Sequence, residues 1–310
     1  LPLHVREEDI PALLSVGKEH LYVWEKQEGI LHENEAAEIL YRISADIHMH
    51  GSDIKEGKIE LIADCDGVLK IRRDALLAVN SLGEMMIASR HGDFPVKKGD
   101  KIAGTRIIPL VIEKTKMDKA EKVAGTKPIF SILPYRSKKV GIITTGSEVQ
   151  KGLIKDTFTP VLKEKLDEFS CQILGQTLPG DERSQITSDI LSFIDQGTDM
   201  VICSGGMSVD PDDRTPGAIK DTGAEIVTYG APVLPGAMLL LSYYQNNDKI
   251  IPILGLPGCV MYARRTVFDL ILPRIMADDR ICADEIASYG EGGLCLNCDV
   301  CTFPNCGFGK

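Results

Sequence analysis

The sequence predicts an α/β protein whose second half forms a three-layer, mostly parallel sheet with helices on both faces. Between residues 138 and 278, apolar, β-branched runs alternate with segments in which apolar residues recur at helical spacing. This βαβα order is typical of parallel strands joined by crossover helices. Glycine-rich, acid-bearing loops follow three of the predicted strands. Together these observations predict a ligand-binding α/β domain, preceded by a smaller α+β domain.

Residues 1–137 have a different pattern, which predicts one or two small α+β subdomains. Helical spacing occurs at Asp9–Ser15 and Glu33–Ala45. The strand-like runs are Leu21–Trp24, Lys58–Ala63, Met85–Ala88 and Thr105–Val111. The charged segment Glu113–Lys122 is a candidate linker or surface helix.

Residues 138–278 contain the predicted α/β elements in order. The predicted strands are Val140–Thr145, Cys171–Leu178, Asp199–Cys203, Met238–Leu241 and Ile250–Leu254. The predicted helices are Thr159–Phe169, Ser184–Ile194, one that begins at Thr215-Pro216 and one from Cys259 to Ile275. Residues 279–310 are interpreted as a cysteine-rich C-terminal tail.

Composition narrows the classes of partner. The net charge of −10 disfavours broad contact with nucleic acid or an anionic membrane. No apolar run approaches the roughly 20 residues that span a bilayer. No signal peptide is visible, although the chain begins at Leu1 and not at Met. We therefore expect a cytoplasmic protein whose partner is a small molecule.

The loops after the first three strands carry the chemistry. They are Thr144-Thr145-Gly146-Ser147-Glu148, Pro179-Gly180-Asp181-Glu182 and Ser204-Gly205-Gly206-Met207-Ser208. Loops at the carboxyl ends of parallel strands meet in one crevice, where ligands bind. Glycines let backbone N–H groups approach an anion, and carboxylates beside an anion imply a divalent cation such as Mg²⁺. The loops predict a phosphorylated ligand, although each acidic residue alone could simply cap a helix.

These segments resemble the molybdopterin-binding fold shared by MoeA, MogA and gephyrin domains. The matching segments are residues 144–148, Gly-Asp-Glu at 180–182, Ser-Gly-Gly-Met-Ser-Val at 204–209, Asp-Arg-Thr-Pro at 213–216 and Gly-Leu-Pro-Gly at 255–258. They occur in the family's order over residues 139–276, and the two-domain layout favours MoeA.

The resemblance implies roles for individual residues. It places Glu148, Asp181 and Asp213 as catalytic carboxylates near Mg²⁺ or molybdate. The residues it implies in cofactor binding are Thr144, Thr145, Gly146, Ser147, Ser204, Gly205, Gly206, Met207, Ser208, Thr215, Pro257 and Gly258. The loop at 205–208 would hold the terminal phosphate or the dithiolene end of molybdopterin. A homodimer or homotrimer is expected by the same resemblance.

The resemblance implies molybdenum-cofactor biosynthesis and leaves three activities open. The first is MoeA-like molybdotransfer, in which molybdate enters adenylylated molybdopterin and AMP is released. The second is adenylylation of molybdopterin by the MogA-type transferase. The third is a non-catalytic molybdopterin carrier or sensor. It gains weight because Leu234-Pro235-Gly236-Ala237 stands where MoeA-like enzymes have Lys-Pro-Gly-Lys, and lost lysines weaken an anion site.

The C-terminal cysteines form a second motif. Cys295, Cys298 and Cys301 are separated by two residues each, and Cys306 follows after four more. Closely spaced thiolates suit one soft metal centre. The spacing approaches the bacterial ferredoxin run, whereas structural zinc more often uses two separated Cys-x₂-Cys pairs. The alternatives are an iron–sulfur cluster, zinc, or no metal.

Overall fold

The computed structural model describes residues 6–17, 27–208 and 213–310. The strand predicted at Leu21–Trp24 lies outside these ranges. Within them, no helix is both long and apolar enough to cross a membrane.

The first 137 residues form small antiparallel sheets packed against helices. The strands are β1 (Ile30–His32), β2 (Met49–Gly51), β3 (Lys58–Ala63), β4 (Gly67–Ile71), β5 (Met85–Ser89), β6 (Phe94–Val96), β7 (Lys101–Ile107), β8 (Val111–Glu113) and β9 (Phe130–Pro134). The helices are α1 (Ile10–Ser15), α2 (Glu33–Ser44), α3 (Arg73–Asn80) and α4 (Lys114–Ala124), with a 3₁₀ turn at Glu7–Asp9. The sheet orders are β2-β3-β7-β5, β6-β4-β9 and β1-β8.

Helix α2 shows why this region folds as it does. Its apolar residues Ala36, Leu40 and Ile43 recur at helical spacing and are buried, together with alternate residues of β3. One prediction needs correction, because the strand predicted at Thr105–Val111 ends at Ile107. Of the two alternatives for Glu113–Lys122, the surface helix is confirmed, since α4 covers most of it and buries only one of its faces.

The remaining elements build one larger sheet. Its strands are β10 (Lys139–Thr145), β11 (Gln172–Gly180), β12 (Met200–Ser204), β13 (Glu225–Tyr229), β14 (Leu240–Asn246) and β15 (Lys249–Leu256). The helices are α5 (Ser147–Gln150), α6 (Phe158–Asp167), α7 (Arg183–Asp195), α8 (Thr215–Asp221), α9 (Val267–Met276) and α10 (Ala283–Ser288), with a 3₁₀ turn at Gly258–Met261.

The sheet order is β11-β10-β12-β15-β14-β13. The first four strands are parallel, and β14 and β13 add two antiparallel strands at one side. The predicted α/β class with a mostly parallel sheet is confirmed. The strand predicted at Met238–Leu241 begins later, at Leu240, and continues to Asn246, because β14 forms a hairpin with β15.

Alternate residues of the strands belong to two separate hydrophobic cores, one on each face of the sheet. Ile142 and Ile202 pack in the cluster that contains α6 and α9. Ile143, Val201 and Cys203 pack in the cluster that contains α7 and α8. Because successive side chains of a strand point to opposite faces, this alternation produces the three predicted layers.

The helix predicted from Cys259 to Ile275 is interrupted. The 3₁₀ turn ends at Met261, and α9 starts only at Val267. Thr266 caps α9, since its hydroxyl accepts from Phe268 N at 3.2 Å while Asp269 accepts from Thr266 N at 2.8 Å. This capping box fixes a new helix start inside the apolar run.

The last thirty residues pack against the body of the protein. Phe308 is buried in the same cluster as Leu270 and Phe94. Arg274 is buried and pairs with Asp279 and Glu285. The segment 279–310 therefore carries helix α10 and a packed C-terminus, whereas the proposed domain boundaries at 137 and 278 remain predictions.

Candidate functional site

The carboxyl ends of the four parallel strands are level with one another. Thr145 pairs with Gly180, Thr144 with Ser204, and Ser204 with Leu256. Neighbouring strands lie about 4.8 Å apart, so these ends form an edge about 14 Å wide. The structure brings the three predicted loops together at this edge, which we call the strand-end site (residues 144–148, 179–182, 204–208, 213–215 and 257–258).

The loop after β12 presents backbone N–H groups. Gly205 and Gly206 have φ of 87° and 55°. A Cβ at Gly205 would lie 2.6 Å from the Thr145 carbonyl oxygen, so only glycine fits there. Among the described residues, no protein group accepts from the N–H groups of Gly206, Met207 or Ser208. Successive unpaired N–H groups after left-handed residues form a concavity that binds anions.

Hydroxyl groups beneath the loops are buried and paired with one another. Thr145 Oγ1 lies 3.1 Å from Thr215 Oγ1 and donates to Ser204 O at 3.2 Å. Thr215 Oγ1 donates to Gly205 O at 2.9 Å, and Ser204 Oγ donates to Thr144 Oγ1 at 3.4 Å. These four side chains hold the loops in place from below, because buried polar groups that are already paired are costly to rearrange.

The three predicted carboxylates have different surroundings. Asp181 is exposed and accepts from Ser147 N at 2.8 Å, which joins the first two loops. Glu148 is exposed in the one-turn helix α5, and Asp213 is half-buried. Within the described ranges, no three His, Cys, Asp or Glu side chains converge to hold a metal ion. Mg²⁺ commonly takes one or two carboxylates, with phosphate oxygens and water completing its shell. The predicted carboxylates can supply that protein part of the Mg²⁺ shell.

A polar network that the sequence did not reveal links β11 to the end of β10 and to the start of α6. Gln176 Nε2 donates to Thr144 Oγ1 at 3.0 Å and to Asp156 Oδ2 at 2.7 Å. Asp156 also accepts from Phe158 N and Thr159 N at the start of α6. Burial raises the pKa of Asp156, but these hydrogen bonds outweigh it and the net pKa is lowered. Gln176 lies in mid-strand, where no sequence signal marks it.

Tyr229 is a second residue that sequence reasoning missed. Its hydroxyl donates to Met207 O at 3.1 Å and to Ser208 O at 3.3 Å, so it ties the 205–208 loop to β13. Partial burial and the Asp213 carboxylate raise its pKa. The Met207 side chain is buried against Gly255. Met207 can therefore contact a ligand only through its backbone N–H group.

The segment 230–239 borders the strand-end site. It leads into β14, whose first residue Leu240 pairs with Gly255 near the end of β15. Leu234 is 57% exposed and Ala237 is half-buried, so the positions that differ from the family's lysines are accessible. Beyond β15, Pro257 is buried and Gly258 is exposed.

The four C-terminal cysteines lie elsewhere but share one open cavity of about 520 Å³. Cys298 and Cys301 are exposed, and Cys295 and Cys306 are half-buried. All four are free thiols. Arg264 and Arg265 line the same cavity. We call this space the cysteine cavity.

Comparison with known proteins identifies the domain that carries the strand-end site. The family model described as "Probable molybdopterin binding domain" matches residues 141–277. A molybdopterin molybdenumtransferase of Haemophilus influenzae is 26% identical over 236 residues, which cover 73% of this chain and 54% of that protein. The enzyme of the same name from Synechococcus elongatus is 25% identical over 193 residues, covering 60% and 44%. The chain thus spans about half the length of these relatives.

Other matches cover shorter parts. A CinA-like protein of Mycolicibacterium gilvum is 37% identical over 79 residues, or 26% of this chain and 19% of that protein. Among solved structures, the tungsten cofactor synthesizing protein MoaB from Pyrococcus furiosus aligns with a TM-score of 0.39 and 16% identity, covering 47% of this chain and 99% of MoaB.

Proposed function

We propose that the chain binds molybdopterin at the strand-end site and inserts molybdate into its adenylylated form, since residues 141–277 match a molybdopterin-binding family model and the chain resembles molybdopterin molybdenumtransferases. The observation that carries this proposal is the row of N–H groups at Gly206, Met207 and Ser208, for which the described part of the chain supplies no acceptor. Such a row suits the phosphate of a pterin ligand, because each N–H donates to an anion without moving a side chain.

The rest of the edge supplies the other groups that phosphoanhydride cleavage needs. Asp181, Asp213 and Glu148 offer oxygens for Mg²⁺ beside the phosphate loop. Bound Mg²⁺ would offset the charge that develops as AMP leaves. Asp181 also fixes the Ser147 backbone, so it positions one loop against the other.

Positive charge for the substrate has to come from residues other than the family's lysines. Lys151 and Lys155 lie in the exposed segment between α5 and α6, next to the first loop. Neither forms an ion pair with any residue in the described ranges. They are our candidates for holding the anionic ligand in place of the lysines that are absent at positions 234 and 237.

The decisive assay uses the full chain with adenylylated molybdopterin, molybdate and Mg²⁺, and follows AMP. Release of AMP that requires molybdate supports the proposal. Pyrophosphate from ATP and molybdopterin would instead indicate adenylyl transfer. Tight binding without either product would indicate a carrier, which the replaced lysines favour as the second candidate.

Asp181→Asn should lower molybdate-dependent AMP release by roughly 10²- to 10³-fold, the scale seen when one charge-stabilising group is removed. The asparagine oxygen can still accept from Ser147 N, so the fold should be kept. Glu182→Gln is the matched control, because Glu182 is an exposed carboxylate in the same loop that accepts from Ser184 Oγ. Equal activity in the two variants would contradict the assignment of Asp181. A homo-oligomeric state and a cytoplasmic location remain predictions.

A further inference from the structure

The cysteine cavity is built from a chain segment that is anchored at both ends. At one end, Cys295 N donates to Leu234 O at 2.8 Å and Leu234 N donates to Gly293 O at 2.8 Å. At the other end, Phe308 is buried and Gly309 N donates to Gly292 O at 2.8 Å. The two anchors bring the start and the end of the segment together, so all four thiols line one space of about 520 Å³.

Between the anchors, most backbone N–H groups have no hydrogen-bond acceptor among the described residues. The N–H groups of residues 296–303 donate to no acceptor among the residues described. Backbone N–H groups beside cysteine ligands are the usual donors to cluster sulfur atoms, and they help to set cluster potential.

Apolar side chains surround the same segment. Leu294, Leu296 and Val300 are 62%, 78% and 75% exposed. Leu294 and Leu296 line the cavity, and Val300 directly precedes its lining residue Cys301. Such a group of large exposed apolar side chains is unusual on a protein surface. They could exclude water from a bound group, because an apolar shell controls solvent access to a metal centre.

Positive groups face the thiols. Arg264 lines the cavity and donates to Asp299 O at 2.7 Å. Arg265 also lines the cavity, and its Nη1 donates to Asp269 Oδ1 at 2.8 Å. Nearby cations stabilise thiolates and the net negative charge of a cluster bound by them.

From this geometry we propose that Cys295, Cys298, Cys301 and Cys306 bind one [4Fe–4S] cluster in the cysteine cavity. All four ligands are thiols, and two successive gaps of two residues match the ferredoxin type of spacing. A structural zinc site closes tightly around one ion, with Zn–S distances of about 2.3 Å. Here the four thiols line an open volume of about 520 Å³, which leaves room for a group larger than one ion.

Loading the site is a ligand exchange without a redox step. Each cysteine thiol releases its proton to solvent and forms one Fe–S bond. That bond replaces one thiolate of the donor complex that delivers the cluster, and the displaced thiolate takes up a proton. The iron and sulfide atoms and their electron count are unchanged.

The test uses the full chain, purified without oxygen and incubated with a preformed [4Fe–4S] complex of a simple alkyl thiolate. After desalting we expect about four iron and four acid-labile sulfide atoms per chain. We also expect a broad visible charge-transfer absorption that is bleached by dithionite. The cluster should protect the four thiols from alkylation.

The informative variants are Cys298→Ser and Cys301→Ser, because both thiols are exposed and serine should leave the fold intact. After desalting, each variant should retain at most roughly one tenth of the iron that the wild-type chain retains. Even the loss of a residue outside the ligand set weakens metal binding about 10- to 100-fold. Cys282→Ser is the control, because Cys282 is exposed in the same C-terminal part but does not line the cavity.

Three outcomes would overturn the proposal. One is a wild-type chain that retains no iron after desalting. Another is iron retention that both variants share with the wild-type chain. The third is about one zinc ion per chain that the cluster complex does not displace, with no sulfide. Circular dichroism of each variant shows whether a loss of iron has a folding cause.

Discussion

The strand-end site and the cysteine cavity are built in opposite ways. At the strand-end site, buried hydroxyls pair with one another, Thr145 with Thr215 and Ser204 with Thr144, and within the described residues a few loop N–H groups have no acceptor. At the cysteine cavity the chain is fixed at its ends, while the backbone N–H groups of residues 296–303 have no acceptor in the described part of the chain. The first site is therefore shaped by the fold, whereas the second would take its final shape from what it binds.

The two regions are also neighbours. The segment 230–239 borders the strand-end site, and its Leu234 forms a β-bridge with Leu294 at the cysteine cavity. The 3₁₀ turn that begins at Gly258 leads within four residues to Tyr262 on the cavity wall. Four residues span at most about 14 Å. A change at one site can thus be checked for its effect on the other.

The largest expected effect comes from breaking the preformed site with Gly205→Ala. The new methyl group would meet the Thr145 carbonyl oxygen at 2.6 Å, in addition to the strain of φ 87°. We expect the free energy of unfolding to fall by about 3 kcal/mol or more, the sum of backbone strain and the clash. Urea unfolding measures this change. Pyrophosphate serves as a simple anion in place of the ligand's phosphate, and its binding should be lost even at temperatures where the variant is folded.

Gly197→Ala is the matched control for that prediction. Its φ of 84° is nearly the same, but nothing lies within 4 Å of the added Cβ. It should show only the left-handed strain of about 1–2 kcal/mol and leave anion binding intact. If the free energy of unfolding falls equally in the two variants, the contact between Gly205 and the Thr145 carbonyl does not add to the cost of the substitution.

A smaller effect should follow from restoring the family's positive charges. Leu234→Lys combined with Ala237→Lys adds two ammonium groups beside the strand-end site. We expect pyrophosphate to bind roughly tenfold more tightly, because a charge-assisted hydrogen bond contributes about 1.5–3 kcal/mol before solvent screening. Calorimetric titration at low and high salt checks this, since the gain should shrink as salt rises.

The control adds the same charge at a distance. Ile108→Lys with Leu110→Lys places two lysines at exposed positions of the N-terminal region. If this pair strengthens pyrophosphate binding as much as the first pair, the gain reflects net charge alone and the segment 230–239 does not contact the ligand.

The sequence predicted the α/β half well because its signals are local. Continuous apolar runs mark the buried strands, and Thr215-Pro216 marks the start of α8 as expected. Level strand ends then follow from parallel pairing, so the gathering of the three loops was predictable. The N-terminal region was harder. Its strands β6 and β8 have three residues each, and their pairing depends on contacts distant in sequence.

The supporting residues of the site could not be predicted for a similar reason. Gln176 and Tyr229 act through partners 20 to 32 residues away, and neither sits in a recognisable motif. The broken helix before α9 depended on the capping box at Thr266 and Asp269, which lies inside an otherwise continuous apolar run. The cysteine spacing predicted a metal centre, but only the fold shows that the four thiols line one cavity.

The smallest expected effect concerns Asp156, whose carboxylate joins Gln176 to the start of α6. Its folded pKa is lowered, so the ionised form stabilises the fold above its unfolded pKa of about 4. That contribution is lost as the pH falls through the lower folded pKa. Asp156→Asn should therefore cost about 1 kcal/mol of unfolding free energy near pH 7, and the gap to the wild-type protein should shrink below about pH 4. Urea unfolding across this range measures the gap, with the exposed Asp195→Asn as control. A gap that stays constant with pH would mean that the charge of Asp156 does not stabilise the strand-end site.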